Sequence, residues 1–248
     1  MQSVHYDDAG YEVRGDFAES HSRFWHRLQQ PGAWFTSAEK IAIARASREA
    51  QGCKLCQKRM AALSPRGVQG SHDHSQNLPA AVVEVVHAIV TDASRLSRSW
   101  YEDVLALGLS DAQYVEIVGT VVAMVSIDSF ADAIGVSHRP LPPAGNGEPT
   151  CYRPATAQVT ADAWVPMVPR VNADTPERDL WPSGKGGNVI RAMSLVPDEV
   201  RTLHDLSAVH YLESEKVMQA GVDAGRTLNR SQMELVAGRV SAVNACYY

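Results

Sequence analysis

The sequence predicts an all-α protein, and two kinds of signal carry that prediction. Three segments combine an oxygen-bearing cap residue with a Glu or Gln three positions later: Thr36-Ser-Ala-Glu39, Ser110-Asp-Ala-Gln113 and Asn229-Arg-Ser-Gln232. In such a box the two side chains each satisfy a backbone N–H that a helix start leaves open, so each box marks where a helix begins. Between these starts, apolar residues gather in long runs that stop at glycines, Gly108 and Gly135 among them. Glycine just past a helical run is a common helix end.

The elements follow in order. Thr36 opens a helix through Lys40-Ile-Ala-Ile-Ala-Arg-Ala-Ser-Arg-Glu49, interrupted by Gly52 just before Cys53. Leu78-Pro79 starts an apolar helix through Val82, Val85, Val86 and Ile89, with proline tolerated in the first turn. Leu96 to Leu107 forms another, and Ser110 caps a nearly wholly apolar helix from Tyr114 to Ile134. A helix apolar on almost every side belongs at the centre of a bundle. From Ser137 to about Gly187, prolines and glycines such as Arg139-Pro-Leu-Pro-Pro143 and Pro182-Ser-Gly-Lys-Gly-Gly187 exclude a long helix. This stretch is expected to be a connector packed along the surface through Trp164, Met167 and Trp181. Helical signals resume at Pro197-Asp-Glu, run from Leu203 to Met218 and return at the Asn229 cap.

With 248 residues and 45% hydrophobic content, the chain can bury one or two ordinary cores. A net charge of -5 and a pI near 6.0 provide no basic footprint for nucleic acid. The start, Met-Gln-Ser-Val-His-Tyr-Asp-Asp, is neither a basic nor an apolar leader, and no uninterrupted apolar run reaches the length of a membrane span. Four cysteines, two of them in Cys53-Lys-Leu-Cys56, suit a reducing compartment with a redox or metal role. The expectation is a soluble, cytoplasmic protein with no nucleic-acid or membrane partner.

Cys53 and Cys56 admit two readings. A Cys-x-x-Cys at a helix start sets backbone N–H groups and the positive dipole end beside a thiolate, lowering its pKa. Gly52 supports such a start, and Lys54 and Lys58 add positive charge. A redox dithiol also needs a proton-moving partner, for which Glu49 or Glu39 and His72 or His74 are the candidates. Alternatively, Cys53, Cys56, His72 and His74 offer two thiolates and two imidazoles, the donor set of a structural zinc site. Elsewhere, Glu116 and Asp128 lie in a strongly apolar helix and are expected to pair with Arg95 or Arg98, since an unpaired buried carboxylate is costly. His87 and Cys151 are expected to be structural, and the charged run Arg170 to Arg178 a solvated face.

The last residues carry a family likeness. The segment Leu228-Asn-Arg-Ser-Gln-Met-Glu234-Leu-Val-Ala-Gly-Arg-Val-Ser-Ala-Val-Asn-Ala-Cys246 resembles the active-site helix of the AhpD-like alkylhydroperoxidase / carboxymuconolactone decarboxylase family. That family's pattern is a glutamate, eleven residues, Cys-x-x-Cys, then a histidine four residues on. The resemblance implies that Glu234 is a proton-relay acid and Cys246 a resolving cysteine. The attacking residue would follow Tyr248, with a histidine slightly beyond. One expectation is that the attacking residue is selenocysteine, its codon read here as a stop.

Gln113-Tyr-Val-Glu116-Ile-Val-Gly echoes Gln232-Met-Glu234-Leu-Val-Ala, so Thr36 to Gly135 resembles one whole domain of the family, and the chain from about Asn188 the front of a second. The expected organisation is an AhpD-like helical bundle over residues 1–136, a Pro/Gly-rich connector over 137–187, and an incomplete second helical repeat over 188–248. The first unit departs from the pattern, with Ile41 and Met60 where Glu and His would stand. The implied function is a cofactor-free, thiol-dependent peroxidase acting on a peroxide, reduced by an external dithiol and built as a homo-oligomer. Its implied catalytic residues are Cys53, Cys56, Glu234 and Cys246. The alternative is a non-catalytic helical scaffold with a structural Cys-x-x-Cys, holding zinc through Cys53, Cys56, His72 and His74.

Overall fold

The computed structural model describes residues 3–170, 174–181, 186–217, 219, 221–223, 225–244 and 246. Among them run ten α-helices: α1 (Gly15–Leu28), α2 (Ser37–Ala50), α3 (Lys54–Ala61), α4 (Ala80–Asp92), α5 (Arg98–Ala106), α6 (Asp111–Ala133), α7 (Asn188–Arg191), α8 (Pro197–His210), α9 (Ser214–Val217) and α10 (Arg230–Val243). No strand occurs among the described residues; Gln158 and Met167 form an isolated antiparallel bridge. The fold is all-α.

All three capping boxes form. Thr36, Ser110 and Asn229 each accept the backbone N–H three residues on, and Glu39, Gln113 and Gln232 each bond back to the cap N–H. α1 carries no box, no side-chain cap and no proline start, so the local signals that reveal the other helices do not reveal this one. Its apolar face, Phe24, Trp25 and Leu28, is nevertheless fully buried.

The core is where α2, α4 and α6 cross. Ile43, Ala46, Val82, Val85, Val86, Val115, Ile117 and Val121 interlock there, all essentially without solvent contact. At roughly 2–5 kcal/mol for truncating a buried Ile to Ala, a few such side chains account for the stability of a domain. A second cluster packs Val4, Tyr6 and α1 against Ala123, Met124 and Ile127 of α6 and Leu206 of α8. Among the described residues, α6 alone is long and apolar enough to meet the length and composition of a membrane span, with 61% of its most apolar window buried in the protein. Here it serves as the axis of the bundle, flanked by α2, α4 and α8.

The connector packs through two of the three side chains expected to anchor it, Met167 and Trp181. Trp164 is partly exposed, but Val165, Met167, Val168, Leu180 and Trp181 are buried, and Leu180 and Trp181 pack on Val200 of α8. Backbone bonds from Thr150 and Cys151 to Gly32 and Ala33 stitch its first half to the α1–α2 turn. Cys151 is exposed and holds φ +53, an uncommon conformation for a residue other than glycine. Val171–Ala173 and Pro182–Lys185 lie outside the described residues.

The charge pairings also differ from expectation. Asp128 is held by Arg48 of α2 through two short bonds of 2.7 and 2.8 Å. Arg95 pairs with Asp92, and Arg98 reaches the carbonyl of Ala163. Glu116 has no ion-pair partner among the described residues. Its Oε2 accepts the Trp34 N–H at 2.6 Å, and its Oε1 has no partner. Arg95 and Arg98 are engaged by other partners, whereas α2, packed along α6, presents Arg48 to Asp128.

Candidate functional site

Cys53 is the N-cap of α3 and Cys56 lies in its first turn, both fully buried. The reversal after α2 lets the Cys53 sulfur receive the backbone N–H of Asp73 at 3.4 Å, while the Asp73 carboxylate accepts the Lys54 N–H at 2.8 Å. These bonds fold the segment carrying His72 down over the helix start. His72 Nδ1 then lies 3.5 Å from the Cys53 sulfur and 3.4 Å from the Cys56 sulfur.

α4 supplies the far wall. Glu84 and His87 lie three residues apart on one face; His87 meets the Cys56 sulfur directly and Glu84 reaches the site through His72. His87 is buried, with Nδ1 3.5 Å from the Cys56 sulfur and no partner for Nε2. Glu84 Oε2 binds His72 Nε2 at 2.9 Å and Arg59 at 2.8 Å, and its Oε1 accepts from Arg66 at 2.7 Å and from Trp100 Nε1 at 3.0 Å. Each carboxylate oxygen thus accepts two bonds, and the His72 ring is fixed with Nε2–H on Glu84 and Nδ1 toward the sulfurs.

The electrostatics follow from these contacts. Burial raises the Cys53 thiol, but the N–H groups of Cys56 and Asp73 and the His72 ring outweigh it and hold the thiol below its ordinary value. Burial opposes a charged His72, yet its bonds to Cys56, Glu84 and Cys53 push it up to about 10. Glu84 is likewise disfavoured by burial and still held far below the usual carboxylate range by His72, Arg59 and Trp100. His87, desolvated and beside the His72 charge, is pushed down to about 4 and stays neutral. These contacts favour the thiolate of Cys53 over an isolated thiol and set it beside a charged His72 backed by Glu84, with the neutral His87 imidazole on the other side.

The sulfurs of Cys53 and Cys56, with one ring nitrogen each of His72 and His87, all lie within 4.8 Å of one another. His74, expected as the second imidazole, is exposed and bonded to the Gln76 carbonyl; His87, expected to be a packing residue, takes its place. Neither acid proposed from sequence faces the thiols, because Glu39 is spent on the α2 cap and Glu49 on Ser75 and Gln76. The carboxylate of the site is Glu84, which reaches it through the His72 ring. The signal that could have found it is the pattern Val83-Glu84-Val-Val-His87, two polar residues on one face of an otherwise apolar helix.

Glu234 and Cys246 lie outside this cluster. Glu234, on α10, is bonded to the Tyr211 hydroxyl and to Arg230, and Cys246 is exposed just beyond the helix. The position following Tyr248 lies outside the described residues. Comparison with protein-family models, with curated proteins and with solved structures gives no match to this chain.

Proposed function

We propose that the chain is a thiol-dependent oxidoreductase of the alkylhydroperoxidase kind, with Cys53 and Cys56 as its dithiol. The observation that carries this reading is the His72 ring, within 3.5 Å of both sulfurs and backed by Glu84. Two cysteines, an imidazole and a carboxylate are the groups a thiol peroxidase requires. Here the acid and base come from His72 and Glu84 rather than from the spacing the resemblance implies.

In the proposed cycle the Cys53 thiolate attacks one peroxide oxygen. The O–O bond breaks, and His72 delivers a proton to the departing alkoxide, leaving Cys53 as a sulfenic acid. Cys56 then attacks that sulfur, forming the Cys53–Cys56 disulfide and releasing water. An external dithiol exchanges with the disulfide and is itself oxidised, which restores both thiols. Solvent approaches on the His72 side, the least buried part of the cluster.

His87 favours a second reading, a Cys2His2 zinc centre. Zinc–sulfur bonds of about 2.3 Å and zinc–nitrogen bonds of about 2.0–2.1 Å give tetrahedral S–N edges of roughly 3.5 Å. Three of the four S–N separations here are 3.4–3.5 Å, and the fourth, Cys53 to His87, is within 4.8 Å. Glu84 behind His72 matches the carboxylate support common around zinc-bound histidines. Zinc would hold both sulfurs and exclude the peroxide cycle, so one experiment separates the readings. The purified protein is assayed for metal, then treated with one equivalent of an alkyl hydroperoxide and peptide-mapped. A Cys53–Cys56 disulfide that a small dithiol reverses is the expected result. One tightly held zinc per chain, with both thiols unreacted until a chelator is added, would replace the redox reading with the zinc one.

A further inference from the structure

A cleft of about 900 Å³ runs between α6 and α8, walled by Val118 and Val122 on one side, Leu203 and Leu206 on the other, and Trp164 of the connector at its rim. None of the four cluster residues lines it. Its size and apolar walls suit a small organic ligand. What such a ligand would bind is set by the polar groups that remain free.

Most polar side chains in the wall are already engaged. His210 bonds to Ser126 at 3.3 Å and to His21 at 2.8 Å, and His21 in turn meets the Tyr6 hydroxyl at 2.5 Å. Thr202 donates to the Asp198 carbonyl and accepts from Arg27. Glu199 differs. It is 7% exposed, lines the cleft, and its carboxyl makes no hydrogen bond or ion pair with any described residue. Its position depends on Gly119, since a Cβ there would lie 2.0 Å from Glu199 Oε2. A glycine in the middle of α6 costs helix stability, and its effect here is to admit that carboxyl. Between apolar walls the carboxyl keeps its proton, with burial first and the nearby Glu116 in support pushing it up to about 8 against the pull of Lys40. A neutral carboxyl has one O–H to donate, and no described residue accepts the one on Glu199.

We infer that this cleft is a binding site for an uncharged, mainly apolar molecule carrying a single oxygen acceptor such as a ketone, whose oxygen takes the O–H of Glu199. An ionised amine would require Glu199 to give up its proton between apolar walls, and a carboxylate would enter a cleft that the Asp162 carboxylate also lines.

The test titrates the full chain at neutral pH with 2-octanone, octane and octylamine, following tryptophan fluorescence. Trp164→Phe serves as the control that locates the signal in the cleft. Saturable binding of 2-octanone is expected, kept within about threefold by Glu199→Gln, whose amide still donates, and weakened about tenfold by Glu199→Leu, in line with loss of one buried hydrogen bond. Gly119→Ala favours the helix while displacing the carboxyl, so it should weaken 2-octanone binding with helical content unchanged by circular dichroism. Equal binding of 2-octanone and octane, with Glu199→Leu as tight as the parent, would reduce the site to a featureless apolar groove. Preference for octylamine, abolished by Glu199→Gln, would overturn the acceptor chemistry in favour of a cation site. No saturable binding of any probe would remove the ligand site altogether.

Discussion

Two buried carboxylates illustrate opposite solutions to one problem. Glu84 sits beside the thiols with four donors on its two oxygens, and its carboxyl is held far below the ordinary range. Glu116, on the other side of the core, has one backbone donor and an orphaned oxygen, and burial, only partly offset by Lys40, pushes it up to about 7. Both are placed by helices of the same bundle. The difference is the supply of donors: α3 and its following turn bring Arg59 and Arg66 to Glu84, while the turn beside Glu116 brings only backbone. Burial alone does not make a charged site. A carboxylate stays charged inside a protein when its oxygens are satisfied, and otherwise takes a proton.

The largest effect should come from removing the satisfied acid. Glu84→Leu leaves Arg59 and Arg66 facing an apolar surface and frees the His72 ring. Breaking a mostly buried charge cluster at one partner costs roughly 3–5 kcal/mol. Urea unfolding at pH 7 should show it, and a loss below about 1 kcal/mol would mean that the guanidinium groups already reach water. The sign with pH follows from the depressed folded value. The contribution of Glu84 is present above its unfolded value of 4.5 and is lost as pH falls toward the folded one.

Glu116→Gln should work in the opposite sense. Its folded value near 7 exceeds the unfolded 4.5, so the parent protein carries no penalty below pH 4.5 and a growing one as pH rises through 7. The amide keeps an acceptor for the Trp34 N–H and removes the charge. Each pH unit separating the folded and unfolded values corresponds to ~1.4 kcal/mol, so the substitution should stabilise by up to about 3 kcal/mol at pH 8.5 and be nearly neutral at pH 4.5. Thermal unfolding of both proteins across that range tests it; a difference independent of pH would show that Glu116 is already ionised at little cost.

The same contrast explains what the sequence revealed. Capping boxes are local, so Thr36, Ser110 and Asn229 mark three helix starts without tertiary information. The cysteine pair at a helix start is legible for the same reason, and His72 belongs to both readings of it. His87 reaches the Cys56 sulfur, and Glu84 the His72 ring, only because α4 packs against α3, a contact no spacing rule contains. α1 escapes notice because its helix depends on burying Phe24, Trp25 and Leu28 rather than on a cap. Pairing Asp128 with a nearby arginine fails because its actual partner, Arg48, is 80 residues away in sequence and adjacent only once α2 lies along α6.

The smallest effect is expected where a sequence motif stands without tertiary support. α10 begins, like α2, with a capping box and is followed by a cysteine, yet none of its residues is buried, and Val236, Val240 and Val243 face outward. Glu234 is about half exposed and is engaged by Tyr211 and Arg230, an arrangement worth little in water. Glu234→Ala should change unfolding stability by less than about 0.5 kcal/mol. It should also leave disulfide formation between Cys53 and Cys56 under alkyl hydroperoxide at the parent rate, because the proton relay proposed for those thiols runs through His72 and Glu84. A slowed Cys53–Cys56 reaction at unchanged stability would show instead that the α10 glutamate serves the dithiol. The two capped helices would then have to be treated as halves of one centre.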